Sequence, residues 1–142
     1  KNSTTIVFVP SGNFCEIIKK NFEDNSIPSI IFYGKMDNQT RFLAIQMLKS
    51  LKAKLIICTD LGSRGLNLPS VNFIINFYFP NKVSSYIHRA GRTGRFFSNG
   101  VCLNLISEKE IEFVHFFEKH TGIFLKRSNF LSEYELLKIL SN

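Results

Sequence analysis

Short apolar runs alternate with amphipathic segments along most of the chain. The runs are rich in β-branched side chains and end at Gly, Pro, Ser or Asn, a pattern typical of buried strands. The segments between them carry apolar residues at helical spacing. Continuous apolar strands that alternate with helices predict an α/β domain, in which a mainly parallel sheet is covered by helices on both faces.

The same pattern gives approximate boundaries. The predicted strands cover 4–9, 29–33, 55–59, 71–77 and 100–106, and the predicted helices cover 14–22, 38–51, 83–89, 108–120 and 131–140. Asn13 is placed to cap the first helix, and Ser107 and Glu110 have capping-box spacing at the fourth. The side chains expected to face the core from the first two helices are Phe14, Ile17, Ile18, Phe22, Phe42, Ile45, Met47, Leu48 and Leu51.

Polar residues and glycines follow the predicted strands. Ser11-Gly12, Gly34, Thr59-Asp60 and the segment before His88 all come after a strand end. Ligands of parallel α/β sheets bind at the carboxyl ends of the strands. We therefore expect these residues to collect at one edge of the sheet.

The densest positive charge lies in 88–95, with the sequence HRAGRTGR. Arg89, Arg92 and Arg95 recur at every third position, with glycines between them. A guanidinium group presents a planar fork of donors that fits phosphate oxygens, and several of them aimed at one point repel each other unless an anion lies there. This stretch is either a polyphosphate or phosphodiester site or a solvated basic turn at a helix end.

A second polar constellation occupies 59–67. Thr59 and Ser63 carry hydroxyl donors, Arg64 carries a charged fork, and Gly65 permits close backbone approach, which suits contact with a phosphodiester backbone. A polar strand-to-helix turn capped by Asp60 is the alternative.

A weaker candidate pairs Gly34 with Arg41, which lies in the first turns of a helix, where anions are attracted. A solvent-facing arginine is the alternative there.

Composition narrows the class of protein. The chain has 142 residues, of which 44% are hydrophobic, enough for one domain with a core. Eighteen Lys and Arg against 11 Asp and Glu give a net charge of +7, which favours an anionic partner. Three scattered cysteines favour a reducing compartment over a zinc site or disulfides. No apolar run approaches the roughly 20 residues of a membrane span.

Two parts of a complete NTPase do not occur in the sequence. A phosphate cradle of the form G-x-x-x-x-G-K-[ST] is absent, and the one adjacent acidic pair, Glu23-Asp24, lies at a predicted helix end rather than after a strand. Arginines suited to a phosphoryl-transfer transition state are thus present without a cradle or a metal site. We expect the missing parts to lie in a partner lobe of the same protein, outside this chain.

The motifs resemble those of a known family. The stretch 88–95 resembles the His-Arg-x-Gly-Arg-x-Gly-Arg signature of superfamily 2 helicases, and 59–67 resembles their Thr-Asp-x-x-(Ala/Ser)-Arg-Gly-(Ile/Leu)-Asp motif. The segments 5–11 and 34–41 resemble two further motifs of the same lobe. The chain is therefore identified as similar to the C-terminal RecA-like lobe of DEAD-box ATP-dependent RNA helicases, with the region of Met36, Arg41 and 59–64 closest to the Gemin-type subgroup.

This resemblance implies a three-layer RecA-like domain over 1–142, with 131–140 as a C-terminal helix and the N-terminal ATP-binding lobe outside the chain. ATP and Mg²⁺ would be held mainly by that other lobe. The implied partners are RNA, the N-terminal lobe and ribonucleoprotein components, in the nucleus or cytoplasm and without a membrane.

The resemblance also assigns roles to individual residues. Arg92 and Arg95 would reach the γ-phosphate, His88 would contact the other lobe, Arg64 would couple the lobes, and Asn67 would take the ribose position. The implied RNA-backbone contacts are Ser11, Gly34, Arg41, Thr59 and Gly65.

Three positions depart from the family pattern. Asn67 replaces an Asp, Asn38 stands where the family has Gln, and Gly12 stands where Lys is frequent. These departures support an alternative hypothesis, a catalytically degenerate lobe that docks RNA or protein. The main hypothesis remains the helicase lobe, which on its own would show negligible ATPase.

Overall fold

The computed structural model describes residues 4–50, 53, 55–66, 68, 71–94 and 100–127. The strands in this part of the chain are β1 (Thr5–Phe8), β2 (Ser29–Phe32), β3 (Leu55–Cys58), β4 (Phe73–Asn76) and β5 (Val101–Asn104). The helices are α1 (Gly12–Asp24), α2 (Asn38–Lys49), α3 (Asp60–Ser63), α4 (Val83–Ala90) and α5 (Ile111–Thr121). A 3₁₀ turn, Glu108–Glu110, leads into α5.

The strands form one parallel sheet in the order β2-β3-β1-β4-β5. The crossover from β1 to β2 runs in the opposite direction to those from β2 to β3 and from β4 to β5. Because such crossovers are right-handed, α1 covers one face while α2 and α4 cover the other. This confirms the predicted α/β class with helices on both faces.

The core lies on both faces of the sheet. β1, β2 and β3 are buried along their whole length, which explains why their sequences are continuous apolar runs. A second cluster, made of Phe79, Tyr86, Val114 and Phe117, packs α4 against α5 beside β5. The site is thus carried by loops that leave a rigid central sheet.

The prediction for the first helix was wrong in two details. Ser11, and not Asn13, caps α1, because its Oγ accepts a hydrogen bond from the backbone N–H of Phe14 at 3.4 Å. Phe14 and Ile17 are 39% and 56% exposed. The small side chain of Cys15 is buried in their place, which lets the helix approach the sheet closely and displaces the larger neighbours to the rim of the contact.

The second helix repeats this arrangement. Ala44 is its buried residue, whereas Phe42 and Met47 are 59% and 40% exposed, contrary to prediction. Ile45 and Leu48, like Ile18 and Phe22 in α1, pack partly buried against the core, as expected. Leu51 and the predicted helix 131–140 lie outside the described residues.

The capping box before α5 is confirmed. Glu110 Oε2 accepts hydrogen bonds from the N–H and the hydroxyl of Ser107, and Oε1 accepts one from the N–H of Phe79 at 2.7 Å. Gly122 ends the helix in the left-handed region at φ +70°. Within the described residues, no helix combines the length and the apolar character needed to cross a bilayer.

Candidate functional site

An open groove of about 580 Å³ lies at the carboxyl ends of the first four strands. The loops after β1, β2, β3 and β4 each contribute to its wall. The residues that line it are Pro10, Ser11, Gly12, Asn13, Glu16, Tyr33, Gly34, Lys35, Thr59, Asp60, Leu61 and Tyr78. The structure therefore brings together three of the predicted site residues, Ser11, Gly34 and Thr59.

Two of these residues present hydroxyls whose oxygens already cap helices. Thr59 Oγ1 accepts from the N–H of Gly62 at 3.0 Å, and Ser11 Oγ accepts from the N–H of Phe14. Since the oxygen serves as an acceptor in each cap, the O–H proton of each group is left to donate. Small donors of this kind, set along a groove, suit a chain of phosphate oxygens.

Close backbone packing holds the Thr59 loop in position. A Cβ on Gly62 would lie 2.1 Å from the carbonyl oxygen of Phe32, so α3 packs directly on the backbone that leaves β2. Arg41 supports the same turn from α2, because its guanidinium donates to the carbonyl of Gly62 at 3.2 Å and lies over the Phe32 ring. Arg41 is thus tied to the loop and does not line the groove.

Gly65 follows α3 and lies outside the groove lining. Its φ of +69° is in the left-handed region, and an added Cβ would meet nothing within 4 Å. A glycine is favoured at this position because of its backbone conformation, and not because a side chain would clash with a neighbour.

Arg89 does not belong with the other arginines of its stretch, contrary to the interpretation that all three point at one anion. It is 2% exposed and forms a two-pronged ion pair with Asp60, in which Nε donates to Oδ1 at 2.7 Å and Nη2 donates to Oδ2 at 2.6 Å. Its Nη1 donates to Asn76 Oδ1 at 2.9 Å and to the Tyr78 carbonyl at 3.3 Å. Nη2 also donates to the Tyr78 hydroxyl at 2.5 Å.

These bonds use all five N–H donors that a guanidinium has. The group also lies over the rings of Phe8 and Tyr78, at 4.8 and 4.5 Å from their centroids. No donor of Arg89 is left for a bound anion. Arg89 therefore stabilises the structure around the site and does not bind a ligand itself.

Asp60 is held ionised by this arrangement. Burial on its own would raise the pKa of the carboxyl group, but the hydrogen bonds and charge of Arg89, helped by the Tyr78 hydroxyl, hold it below its ordinary value. The expectation of Asp60 as a simple helix cap was wrong, because Thr59 supplies the cap of α3.

The segment with His88 and Arg92 lies away from the groove. The prediction that all the polar segments collect at one edge of the sheet is therefore wrong for this segment. Helix α4 starts after β4 and runs back along the sheet. At its end the N–H of Val71 donates to the Arg92 carbonyl at 3.0 Å, and the Thr93 hydroxyl donates to the Val71 carbonyl at 2.6 Å. Val71 precedes β4, so this turn lies at the amino end of that strand.

The charge of Arg92 acts on the end of β3. Burial raises the pKa of the Cys58 thiol, with Cys15 and Asp60 adding to the rise, and the charges of Arg89 and Arg92 oppose it. Arg92 is half-buried, and His88 and Arg64 are exposed. Among the described residues, the guanidinium groups of Arg64 and Arg92 form no ion pair or hydrogen bond.

Val71 forms a parallel bridge with Thr93, so the turn that carries Arg92 lies beside the start of β4. We call this side of the domain, which carries Arg92, its flank. The predicted site residues Asn67 and Arg95 lie outside the described residues.

The sequence did not reveal that Tyr78 and Asn76 bind the guanidinium of Arg89. It also suggested that Arg89 faces a bound anion, whereas its side chain is buried. The signal for Arg89 was its position three residues after Tyr86, since both are the buried residues of α4. A basic side chain on the apolar face of a helix needs an acidic partner in the interior. Asp60, which directly follows Thr59 at the end of a buried strand, was the candidate.

Comparisons with known proteins agree with this architecture. The family model described as "Helicase conserved C-terminal domain" matches residues 1–97. The chain is 34% identical over 114 residues to "Probable ATP-dependent RNA helicase ddx49" of Dictyostelium discoideum and 32% identical over 136 residues to the human DDX49 protein. These matches cover 80% and 96% of this chain but only 22% and 28% of those relatives.

A solved structure, "S. cerevisiae Dbp5 bound to RNA and ADP BeF3", has the same fold. It superposes with a TM-score of 0.81 at 24% identity, covering 99% of this chain and 38% of that one. The chain belongs to the helicase conserved C-terminal domain family. It has the fold of the C-terminal domain of the DEAD-box protein Dbp5, and it spans about a quarter of the length of the curated relatives that it matches.

Proposed function

We propose that this lobe works with an N-terminal ATP-binding lobe of the same protein as an ATP-dependent RNA helicase. The domain would be 1–142, with its last helix at 131–140. The observation that carries the proposal is the separation of two surfaces. A groove lined by small donors lies at the carboxyl edge of the sheet, and Arg92, which has no internal partner among the described residues, lies on the flank.

The groove would hold the RNA backbone. Ser11, Gly34 and Thr59 line it, and Lys35 adds a positive charge. Gly65, in the adjoining turn, stays a predicted RNA contact. Arg41, which supports that turn from α2, stays one as well. Contacts of this kind position a strand without reading its bases, so we expect binding that is nearly independent of sequence.

The flank would face nucleotide held on the other lobe. Arg92 is half-buried, and its guanidinium has no partner among the described residues, which fits a group reserved for a phosphate. Its charge would stabilise the transition state of phosphoryl transfer, where an arginine finger contributes roughly 10³–10⁵ in rate. Arg95 would act with it, Arg64 and His88 would contact the other lobe, and Asn67 would accept from the ribose.

ATP and Mg²⁺ would be bound mainly by the other lobe. Within the part of the chain that the structure describes, no three His, Cys, Asp or Glu side chains come together as metal ligands. When bound, the metal neutralises phosphate charge, and the part of this lobe is to supply Arg92.

The relatives are named as ATP-dependent enzymes, which favours catalysis over the alternative of a docking-only lobe. Nothing in their names favours the Gemin-type subgroup, which stays a prediction. Action in a reducing compartment, nucleus or cytoplasm, alongside ribonucleoprotein components is part of the same proposal.

The test compares this chain alone with a protein that contains both lobes. We expect negligible ATPase for the chain alone and RNA-stimulated turnover for the two-lobe protein. A two-lobe protein that binds RNA but does not hydrolyse ATP would instead support the docking alternative.

A further inference from the structure

Tyr78 joins the two surfaces of the lobe. Its side chain lines the groove, two residues beyond the end of β4. Its hydroxyl accepts from Arg89 Nη2 at 2.5 Å and donates to Asp60 Oδ2 at 3.1 Å. One hydroxyl therefore closes a ring of hydrogen bonds with the buried ion pair.

The phenol keeps its proton in this position. Burial raises the pKa of Tyr78, and the opposing charge of Arg89 does not cancel that rise. Asp60 is held as a carboxylate, so the O–H has a charged acceptor, and hydrogen bonds to charged groups are stronger than neutral ones. Replacing the hydroxyl would leave the ion pair in place but no longer fixed to the groove wall.

The other end of the ion pair controls the arginine turn. Arg89 lies in the last turn of α4, and its carbonyl accepts from the N–H of Arg92 at 3.0 Å. The Arg92 carbonyl and the Thr93 hydroxyl are in turn bonded to Val71. The backbone of Arg92 is thus set by two anchors, Arg89 on one side and Val71 on the other.

The groove end of the same network is accessible to solvent and the interior end is not. The Asp60 side chain is 35% exposed at the groove, whereas Arg89 is 2% exposed. Asp60 also directly follows Thr59, which lines the groove as well. Occupation of the groove beside Thr59 and Tyr78 would therefore act on Asp60, and through the ion pair on the turn that carries Arg92.

We infer that Tyr78 is a positioning residue whose hydroxyl, through the Asp60–Arg89 ion pair, ties RNA in the groove to the placement of Arg92. This inference rests on the proposed function and extends it to the coupling between the two surfaces. Tyr78 touches neither the nucleotide nor the reacting atoms. Its effect is on how strongly RNA accelerates hydrolysis.

The test is Tyr78→Phe in the two-lobe protein, which keeps the ring beneath Arg89 and removes the hydroxyl. We measure ATP turnover without RNA and at saturating single-stranded RNA, together with the dissociation constant for that RNA. The ratio of the two turnover rates should fall roughly 10- to 100-fold, the scale of one lost hydrogen bond to a charged group. The dissociation constant shows that the stimulated rate is taken at saturation, where a change in RNA affinity does not enter the ratio.

Tyr86→Phe is the matched control. Tyr86 lies on α4 together with Arg89 and is buried, and its hydroxyl accepts a hydrogen bond from Asn104 at 3.4 Å instead of bonding to the Asp60–Arg89 ion pair. Its ratio should equal that of the wild type. Loss of folded protein lowers both rates together and cancels in the ratio, so incomplete folding of either variant cannot imitate the expected result.

An unchanged ratio for Tyr78→Phe, with Arg92→Ala inactive, would overturn the inference and leave the proposed function intact. An equal fall for Tyr78→Phe and Tyr86→Phe would also overturn it, because loosened packing would then be the cause. A wild-type protein that RNA does not stimulate would refute the proposed function itself.

Discussion

At the scale of single residues, one sequence repeat contains two different kinds of arginine. Every N–H group of the Arg89 guanidinium donates a hydrogen bond to Asp60, Asn76 or Tyr78, whereas Arg92 has no side-chain partner among the described residues. A spacing of three residues suggests that the arginines play the same role, but an α-helix makes one turn every 3.6 residues. Arg89 falls on the buried face of α4, and Arg92 lies beyond its end.

We expect Asp60→Asn to lower the free energy of unfolding by about 2–3 kcal/mol, since it leaves a buried guanidinium without its counter-ion. The loss is smaller than for a fully buried pair because the Asp60 side chain is 35% exposed. Urea unfolding of the chain measures it. Asp24→Asn, at an exposed position, is the control and should change stability by less than about 0.5 kcal/mol.

The same pair predicts a dependence on pH. The pKa of Asp60 is lowered in the folded state, so its contribution is complete above the ordinary carboxyl pKa of about 3.9 and is lost as pH falls through the lowered value. The unfolding curves of wild type and Asp60→Asn should therefore converge as pH falls below about 4. Curves that stay parallel over that range would show that Asp60 carries no such charge linkage.

At the scale of elements, glycines in similar turns have different physical roles. Gly62 has no room for a Cβ, because the nearest atoms belong to the backbone of Phe32 and Tyr33. Gly122 has open space but a φ of +70°. Packing at Gly62 fixes α3 and with it Thr59, while conformation at Gly122 only ends α5.

Gly62→Ala should consequently destabilise the chain by about 3 kcal/mol or more, since rigid backbone must move. Gly122→Ala should lower the free energy of unfolding by about 1 kcal/mol, because alanine is strained in a left-handed conformation. Thermal unfolding compares the two variants directly. Equal losses would mean that the α3 turn can relax away from β2.

Part of this detail was readable from the sequence and part was not. Periodicity predicted the order of elements, the sheet class and the Ser107–Glu110 capping box, because these depend on local pattern. The burial of Cys15 and Ala44 in place of Phe14 and Phe42 depends on how closely each helix approaches the sheet. The Asp60–Arg89 pair joins residues 29 apart, so the local pattern indicates that Arg89 is buried and needs an acidic partner but does not itself show the contact.

At the scale of the whole molecule, the net charge of +7 and the donor-lined groove predict RNA binding that depends steeply on salt. Each phosphate contact to a single strand contributes about 0.7 to the slope of log affinity against log salt. In the two-lobe protein, Lys35→Ala at the groove should reduce the slope by about that amount. Lys109→Ala, on the exposed 3₁₀ turn, should leave it unchanged, and equal slopes for all three proteins would argue against the groove as the RNA site.

We propose that Arg92, on the flank of the domain, is reserved for a phosphate held by another lobe. The most direct measurement is kcat of RNA-stimulated ATP hydrolysis by the two-lobe protein with Arg92→Ala, beside Arg127→Ala as a control at an exposed arginine that follows α5. We predict a fall of roughly 10³-fold or more for Arg92→Ala and none for Arg127→Ala. An unchanged kcat in a folded, RNA-binding Arg92→Ala protein would contradict the account.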